Sequence, residues 1–144
     1  MAEYGTRGNR PPGWQIEHLQ RYLATDGADG HIWEGLPTLL LTTTGRRSGQ
    51  AHTTPLIYGQ DGDRYLVVGS RGGAPKHPSW YHNLLAQPQV QVQILGDRFH
   101  AHARPASAAE KPALWQKMVQ LYPPYAEYQA RTAREIPLVI LERD

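Results

Sequence analysis

Alternation of apolar and polar residues is the clearest pattern along this chain of 144 residues. It is strict at residues 90–94 and again at 99–103, which predicts two strands that each bury one face and expose the other. Apolar runs rich in β-branched residues predict four more strands, at residues 36–43, 53–58, 65–69 and 136–141. Residues 59–63, Gly-Gln-Asp-Gly-Asp, are predicted to form the hairpin turn between two of them.

Apolar residues that recur every three or four positions predict four helices. The first covers residues 14–23, and its apolar positions are Ile16, Leu19 and Leu23. The second covers residues 77–86, with Pro78 in its first turn. The third begins near Ser107, and the residues on its apolar face are Leu114, Trp115, Met118, Val119 and Tyr122. The fourth covers residues 125–134.

The order of these elements indicates an α+β fold. Six mainly antiparallel strands are joined mostly by hairpins, without the alternation of long helices and parallel strands that a doubly wound sheet requires. No Gly-x-Gly-x-x-Gly motif follows a strand. A closed or strongly curled barrel with covering helices therefore fits better than an open α/β sandwich. The length predicts one domain at residues 14–144, preceded by a flexible, Gly- and Pro-rich segment at residues 1–13.

Composition narrows the function classes. Hydrophobic residues make up 40% of the chain and charged residues 19%, as expected of a folded domain. The chain has no cysteine, which excludes disulfides, thiolate catalysis and zinc–thiolate sites and favours the cytoplasm. The sequence shows neither the apolar core of a signal peptide nor a run long enough to cross a bilayer.

Two basic, glycine-containing loops carry the strongest functional signal. Residues 44–49 read Thr-Gly-Arg-Arg-Ser-Gly and residues 70–76 read Ser-Arg-Gly-Gly-Ala-Pro-Lys, and each loop follows a predicted strand. Between positions 44 and 76 the only acids are Asp61 and Asp63, so this region is positive although the net charge of the chain is only +2. Backbone N–H groups and guanidinium donors at such turns predict an anion site. The alternative is two solvated surface loops.

Aromatic residues and histidines give weaker signals. Trp80 and Asn83 are three residues apart and share a helix face. A second set spaced by three forms an aromatic stripe, which is typical of a core but can line a pocket where prolines break the helix; it contains Tyr122, Tyr125 and Tyr128. His100 and His102 lie on the polar face of their strand with no acid beside them in the sequence, so no metal site is predicted.

Four segments together resemble the deazaflavin-dependent nitroreductases, which use coenzyme F420. They are residues 39–50 (Leu-Leu-Leu-Thr-Thr-Thr-Gly-Arg-Arg-Ser-Gly-Gln), 54–56 (Thr-Pro-Leu), 69–84 (Gly-Ser-Arg-Gly-Gly-Ala-Pro-Lys-His-Pro-Ser-Trp-Tyr-His-Asn-Leu) and 122–128 (Tyr-Pro-Pro-Tyr-Ala-Glu-Tyr). The resemblance spans residues 14–144. It implies a split β-barrel of the flavin-reductase, FMN-binding type, often dimeric. Such a protein binds reduced deazaflavin and passes a hydride to quinones, activated alkenes or nitro compounds.

The resemblance also implies roles for individual residues. The coenzyme tail, with its phosphodiester and glutamate carboxylates, is assigned to Arg46, Arg47, Ser48 and Gly49. Arg71 is expected near the phosphate with Lys76, and the tricyclic ring along Pro55, Leu56 and Ile57. Trp80 and Asn83 complete the coenzyme site. The substrate side is assigned to Tyr122, Tyr125 and Tyr128, with Ser70 as a candidate proton donor. His52 stands where the family usually has an arginine, which predicts weaker or pH-sensitive tail binding.

Two other kinds of function also fit the sequence. The same barrel could use FMN, because the basic loops would also hold one phosphate. A non-enzymatic deazaflavin carrier, or a basic barrel for single-stranded nucleic acid, would be a binding protein instead. Binding of single-stranded nucleic acid requires aromatic residues interleaved with a stripe of basic residues, whereas here the basic residues cluster in two loops. The sequence leaves open whether the chain forms a homodimer and whether residues 14–23 contact the inner face of a membrane.

Overall fold

The computed structural model describes residues 14–144; the segment predicted to be flexible, residues 1–13, lies outside the described residues. The helices are α1 (Trp14–Ala24), α2 (Ser79–Ala86), α3 (Lys111–Leu121) and α4 (Pro124–Arg131). The strands are β1 (Ile32–Trp33), β2 (Leu36–Thr44), β3 (Ala51–Ile57), β4 (Gly59–Asp61), β5 (Arg64–Val68), β6 (Gln89–Ile94), β7 (Asp97–Pro105) and β8 (Leu138–Arg143). In the described part of the chain no helix is long and apolar enough to span a bilayer.

All strand pairs are antiparallel, and they form one curled sheet. Along it the strands follow the order β1, β2, β6, β7, β8, β5, β4, with β3 paired to β2. Curling brings β3 close to β5, so the inward faces of the strands enclose a core. That core includes Leu39, Leu41, Leu66, Val67 and Val139, all of them fully buried. The predicted curled antiparallel sheet with covering helices is confirmed.

The six predicted strands are all present, and two short strands are additional. Gly59–Asp61, predicted as part of a turn, pairs with β5 so that only Gly62 and Asp63 form the hairpin loop. Ile32–Trp33 pairs with the start of β2 through a loop of Glu34 and Gly35, both with positive φ. Positive φ at both loop residues defines a type I′ turn, and a glutamate in that position is an uncommon signal.

Helix α1 faces the sheet with different residues from those the apolar pattern predicts. Ile16 is 63% exposed and Leu23 46% exposed, while His18 and Tyr22 are fully buried. Tyr22 faces the sheet because its hydroxyl donates to the carbonyl of Thr38 (3.0 Å) and accepts from the backbone N–H of Leu95 (2.9 Å). Polar side chains thus anchor α1, and part of its aliphatic face remains exposed.

The third helix agrees with the sequence in its buried face. Leu114, Met118 and Tyr122 are buried, and Trp115 and Val119 pack against them at the edge of the core. Ser107 and Glu110 form a capping box before the helix: the Glu110 N–H donates to Ser107 Oγ (3.2 Å) and the Ser107 N–H to Glu110 Oε1 (2.9 Å). This capping box closes a turn at residues 107–110, and α3 itself begins at Lys111, later than the predicted start near Ser107.

Candidate functional site

The two basic loops meet at one groove. The first connects β2 to β3 and the second connects β5 to α2. Two adjoining cavities of about 430 Å³ and 400 Å³ share Arg46 and Ser79. The first cavity is otherwise lined by Gly45, Arg47, Ser48, His52, Thr53, Thr54, Trp80 and Asn83. The second is otherwise lined by Arg71, Pro75, Lys76, His77, His82 and Arg134. The structure thus brings the two loops to the same groove.

Asn83 fixes the first loop from the side of α2. Its Oδ1 accepts hydrogen bonds from the backbone N–H of Arg46 (3.1 Å) and from Arg46 Nη1 (3.0 Å). Its Nδ2 donates to Thr43 Oγ1 (3.2 Å), and the side chain is buried. Asn83 therefore joins α2 to the end of β2, and it sets the position of Arg46. Contact between Asn83 and a coenzyme stays a prediction.

Replacing Asn83 with alanine should lower the free energy of unfolding by about 1–3 kcal/mol, because it leaves the buried Thr43 hydroxyl and the backbone N–H of Arg46 without their hydrogen-bond partner. It should also weaken anion binding, because Arg46 loses its support. Urea denaturation measures the first effect. Leu85→Ala is the matched control, since Leu85 lies on the same helix and is 49% exposed. An Asn83→Ala variant as stable as Leu85→Ala would contradict this account.

The second loop has a backbone shape that suits an anion. Ser70 is in the right-handed region (φ −74°, ψ −41°), and Arg71 follows with φ +48°. Alternation of these two conformations makes successive N–H groups converge into a concave anion site. Gly72 and Gly73 continue with φ +64° and +81°. Gly73 also packs tightly on α4, because a Cβ there would lie 2.9 Å from the carbonyl oxygen of Tyr128.

The charges of the groove are unbalanced. Arg47, Arg71 and Lys76 are exposed, and none has a carboxylate partner among residues 14–144. Among residues 14–144 no aspartate or glutamate lines either cavity. Unpaired cations facing one groove raise the local concentration of anions there. This supports the predicted anion site over the alternative of solvated loops.

Two buried polar atoms near the groove lack hydrogen-bond partners in the described part of the chain. One is Nε1 of Trp80, whose side chain lines the first cavity. A buried indole N–H normally finds an acceptor, so this one is available to a ligand. The other is Oγ of Ser70, which is fully buried and lines neither cavity. Direct proton donation by Ser70 into the groove is therefore not supported by the geometry.

The tyrosine stripe is part of the core. Tyr122, Tyr125 and Tyr128 are each at most 3% exposed, and their rings pack edge to face or tilted. The hydroxyls of Tyr122 and Tyr128 are 3.2 Å apart. None of the three lines either cavity. Of the two interpretations of this stripe, the structure favours the core, because the break at Pro123 folds α4 back onto α3. Their role on the substrate side stays a prediction.

The ring-contact triplet is also buried. Alternation along β3 places Leu56 on the core face beside Leu39 and places Pro55 opposite Leu40 on the other face. Pro55, Leu56 and Ile57 are all buried, and none lines the groove. Side-chain contact with all three would require a ring to reach both faces of one strand. Contact between this strand and the ring stays a prediction.

The structure adds histidines and an arginine that the sequence did not single out. His77, His82 and Arg134 line the second cavity. Burial, together with the nearby Arg134 and His82, lowers the pKa of His77, which favours its neutral form. Arg134 lies in the segment before β8, and no sequence motif near it indicates that it lines the groove.

His100 and His102 are exposed on the outer face of β7. Among the described residues no group of three or more potential metal ligands occurs.

Comparison with known proteins decides the family. The model of the F420H2-dependent quinone reductase family matches residues 14–143. The chain belongs to this family. A member from Mycobacterium tuberculosis, named F420H2-dependent quinone reductase, is 44% identical over 130 residues, covering 88% of this chain and 87% of the relative.

Solved structures of relatives agree with the fold. One described as an F420-H2 dependent reductase (FDR-A) is 44% identical with a TM-score of 0.69, covering 74% of this chain and 94% of that one. Another, described as a domain-swapped dimer, is 41% identical with a TM-score of 0.72, covering 92% of this chain and all of the other. The predicted split-barrel fold and the predicted F420-dependent family are confirmed.

The groove fits the coenzyme on which this family depends. Reduced F420 needs several cations for its tail, and the exposed Arg47, Arg71 and Lys76 of the groove have no carboxylate partner among residues 14–144. Its phosphate needs converging donors, and the backbone at Ser70 and Arg71 has that shape. The unpaired Trp80 Nε1 offers one more donor at the cavity wall.

Proposed function

We propose that this protein binds reduced F420 in the groove between the two basic loops and reduces a quinone. Activated alkenes and nitro compounds are further acceptors with the same chemistry. The observation that carries the proposal is the set of unpaired cations in a groove that the described part of the chain lines without an acid. A phosphodiester and several carboxylates require such a set, whereas a single phosphate does not.

Different parts of the groove suit different parts of the coenzyme. We assign the tail carboxylates to the first loop, where Arg46 and Arg47 are the cations, Ser48 adds a hydroxyl, and Gly49 has a φ of +73°. We assign the phosphate to the second loop, at the concave backbone near Arg71 with Lys76 beside it. The N–H of Trp80 then donates to the coenzyme from the wall that lies between the two loops.

The coenzyme supplies the hydride when it is bound, so the chain has to bind and orient it. Reduction of a quinone to a hydroquinone also consumes a proton. We assign this proton to solvent in the open groove, because the side chains of Ser70 and of the three tyrosines are buried. This explains why no catalytic triad or carboxylate pair is needed in the groove.

F420 should bind more tightly than FMN, and its affinity should fall as salt is added, because exposed cations make most of the contacts. Fluorescence titration with F420, with the same deazaflavin lacking phosphate and glutamates, and with FMN separates the contributions of ring and tail. Removal of the tail from an unchanged ring is the matched control. Equal or tighter binding of FMN, with no effect of the tail, would favour the FMN-dependent alternative.

We further propose that the chain forms a homodimer, which the relative described as a domain-swapped dimer supports. The exposed aliphatic residues Ile16 and Leu23 on α1 are apolar surface that a second copy could cover. Contact of residues 14–23 with a membrane stays a prediction, as does a cytoplasmic location. The one arginine of α1, Arg21, forms an exposed ion pair with Glu17 (2.6 Å).

A further inference from the structure

Arg134 lines the anion groove, but all three of its guanidinium nitrogens are engaged with the second loop. Nε donates to the carbonyl of Ala74 (2.8 Å), and Nη2 donates to the carbonyl of Ser70 (2.5 Å). Nη1 donates to the carbonyl of Gly69 (3.1 Å) and to Nδ1 of His77 (2.8 Å). One side chain thus holds both ends of the loop that runs from β5 to α2.

Arg134 is itself held in place. Its carbonyl accepts a hydrogen bond from Nε2 of Gln129 (2.8 Å), and Oε1 of the same glutamine accepts the N–H of Ile136 (2.9 Å). The side chain is half-buried, and burial together with the nearby Arg71 lowers its pKa. A guanidinium placed beside another cation at an anion site would be expected to bind the anion. Here its donors are already used by the protein.

The direction of these bonds matters for the anion site. In a trans peptide the C=O of one residue and the N–H of the next point in opposite directions. Because the carbonyls of Gly69 and Ser70 turn toward Arg134, the N–H groups of Ser70 and Arg71 turn away from it. Both belong to the concave backbone at the start of the loop, and of the two residues only Arg71 is exposed and lines the second cavity, since Ser70 is fully buried.

We propose that Arg134 is a positioning residue for the phosphate of the coenzyme. It shapes the second loop by binding its carbonyls, so that the backbone N–H of Arg71 on the opposite side, together with the Arg71 guanidinium, holds the anion. The planar guanidinium has N–H donors in several fixed directions, so it can bind these carbonyls at once. A lysine at this position would carry the same charge but offers no comparable set of directed donors. His77 completes the clamp in its neutral form, with Nδ1 as the acceptor. The inference rests on the proposed function.

The test compares Arg134→Lys with Arg134→Gln. Arg131→Lys and Arg131→Gln are the matched controls, because Arg131 is exposed and its guanidinium lies over the ring of Tyr128 at 5.7 Å. Each protein is titrated with F420 and with the deazaflavin that lacks phosphate and glutamates. We expect both Arg134 variants to weaken F420 binding by about tenfold or more, because ordered charge-assisted contacts are lost. Binding of the tail-less deazaflavin should change less than about twofold, which corresponds to about 0.4 kcal/mol.

Several results would overturn the proposal. They are F420 binding by Arg134→Lys at wild-type affinity, a loss in Arg134→Gln that Arg134→Lys restores, and an equal loss for both ligands. His77→Ala removes one of the four contacts and should give a smaller loss of the same kind, which keeps the test available if the Arg134 variants fold poorly.

Hydrogen exchange separates this inference from the proposed function. Amides at residues 70–73 should exchange faster in Arg134→Lys than in Arg131→Lys, with no ligand present. Failure of the wild type to bind F420 would contradict the proposed function. Unchanged exchange at residues 70–73 would overturn the clamp whether or not F420 binds.

Discussion

Replacing Arg47 and Arg71 together with alanine should weaken F420 binding by about 3–6 kcal/mol, because each loses a charge-assisted hydrogen bond worth about 1.5–3 kcal/mol. The two losses should add, since the residues lie in different loops and share no protein partner. Both side chains are exposed and form no ion pair within residues 14–144, so the melting temperature should stay near that of the wild type.

The control for this double variant removes the same charge elsewhere. Arg21 and Arg131 are exposed and line neither cavity. Replacing both with alanine lowers the net charge equally but should barely change F420 affinity. Titration with F420 at several salt concentrations compares the two proteins. A similar loss in both would mean that the overall charge attracts the coenzyme and that Arg47 and Arg71 make no specific contact.

Replacing Tyr125 with alanine should lower the free energy of unfolding by about 3–5 kcal/mol, as expected for an aromatic residue lost from a packed core. The ring is 1% exposed and packs against Tyr122 and Tyr128 at centroid distances of 4.9 Å and 6.3 Å. Tyr125→Phe is the matched control, because it keeps the ring and removes only the hydroxyl. Urea denaturation gives both values.

The same variants address the role on the substrate side. If Tyr125→Ala were no less stable than the control, the stripe would not belong to the core. Phenylalanine variants of Tyr122 and Tyr128 remove the hydroxyl pair at 3.2 Å. If they bind F420 like the wild type but turn over a quinone more slowly, the predicted catalytic role of these tyrosines is supported despite their burial.

Two of the strands that the sequence predicted show a pattern that the missed ones lack. Residues 90–94 and 99–103 alternate in sequence along their full length, and residues 99–103 bury one face as that pattern predicts. In residues 90–94 the alternation of burial ends at Gln93, which is buried although it is polar, while Ile94 is half-buried. Ile32–Trp33 and Gly59–Asp61 are too short to show a period, and turn geometry creates them. The first depends on a positive φ at Glu34, which a glutamate rarely adopts, so its sequence signal is weak.

Helix α1 shows the limit of apolar spacing as a guide. Ile16 and Leu23 fit a helical stripe, yet His18 and Tyr22 are the buried residues. His18 Nε2 is hydrogen-bonded to the carbonyl of Gly30 in the turn after α1, and the Tyr22 hydroxyl reaches the carbonyl of Thr38 in β2. Periodicity ranks residues by hydropathy and contains no information about such acceptors. The exposed face of α1 therefore differs from the one that the apolar spacing predicts.

The candidate site was predictable where residue type alone decides the chemistry. Arg47, Arg71 and Lys76 are cations in glycine-containing loops, and they do line one groove. Arg134 could not be found in this way, because its contacts join it to residues about 60 positions earlier in the chain. For the tyrosines the sequence offered both a core and a pocket interpretation, and the way α4 folds back onto α3 decides for the core.

Oxidation of reduced F420 by menadione, followed by absorbance, tests the central claim most directly. The wild type should turn over, and the Arg47→Ala/Arg71→Ala double variant should lose kcat/KM in proportion to its lost affinity, about a hundredfold or more. The Arg21→Ala/Arg131→Ala control should retain wild-type kcat/KM. Tight binding of F420 by the wild type, with no oxidation by menadione or by any other quinone, enone or nitro compound, would contradict the account and identify the protein as a deazaflavin carrier.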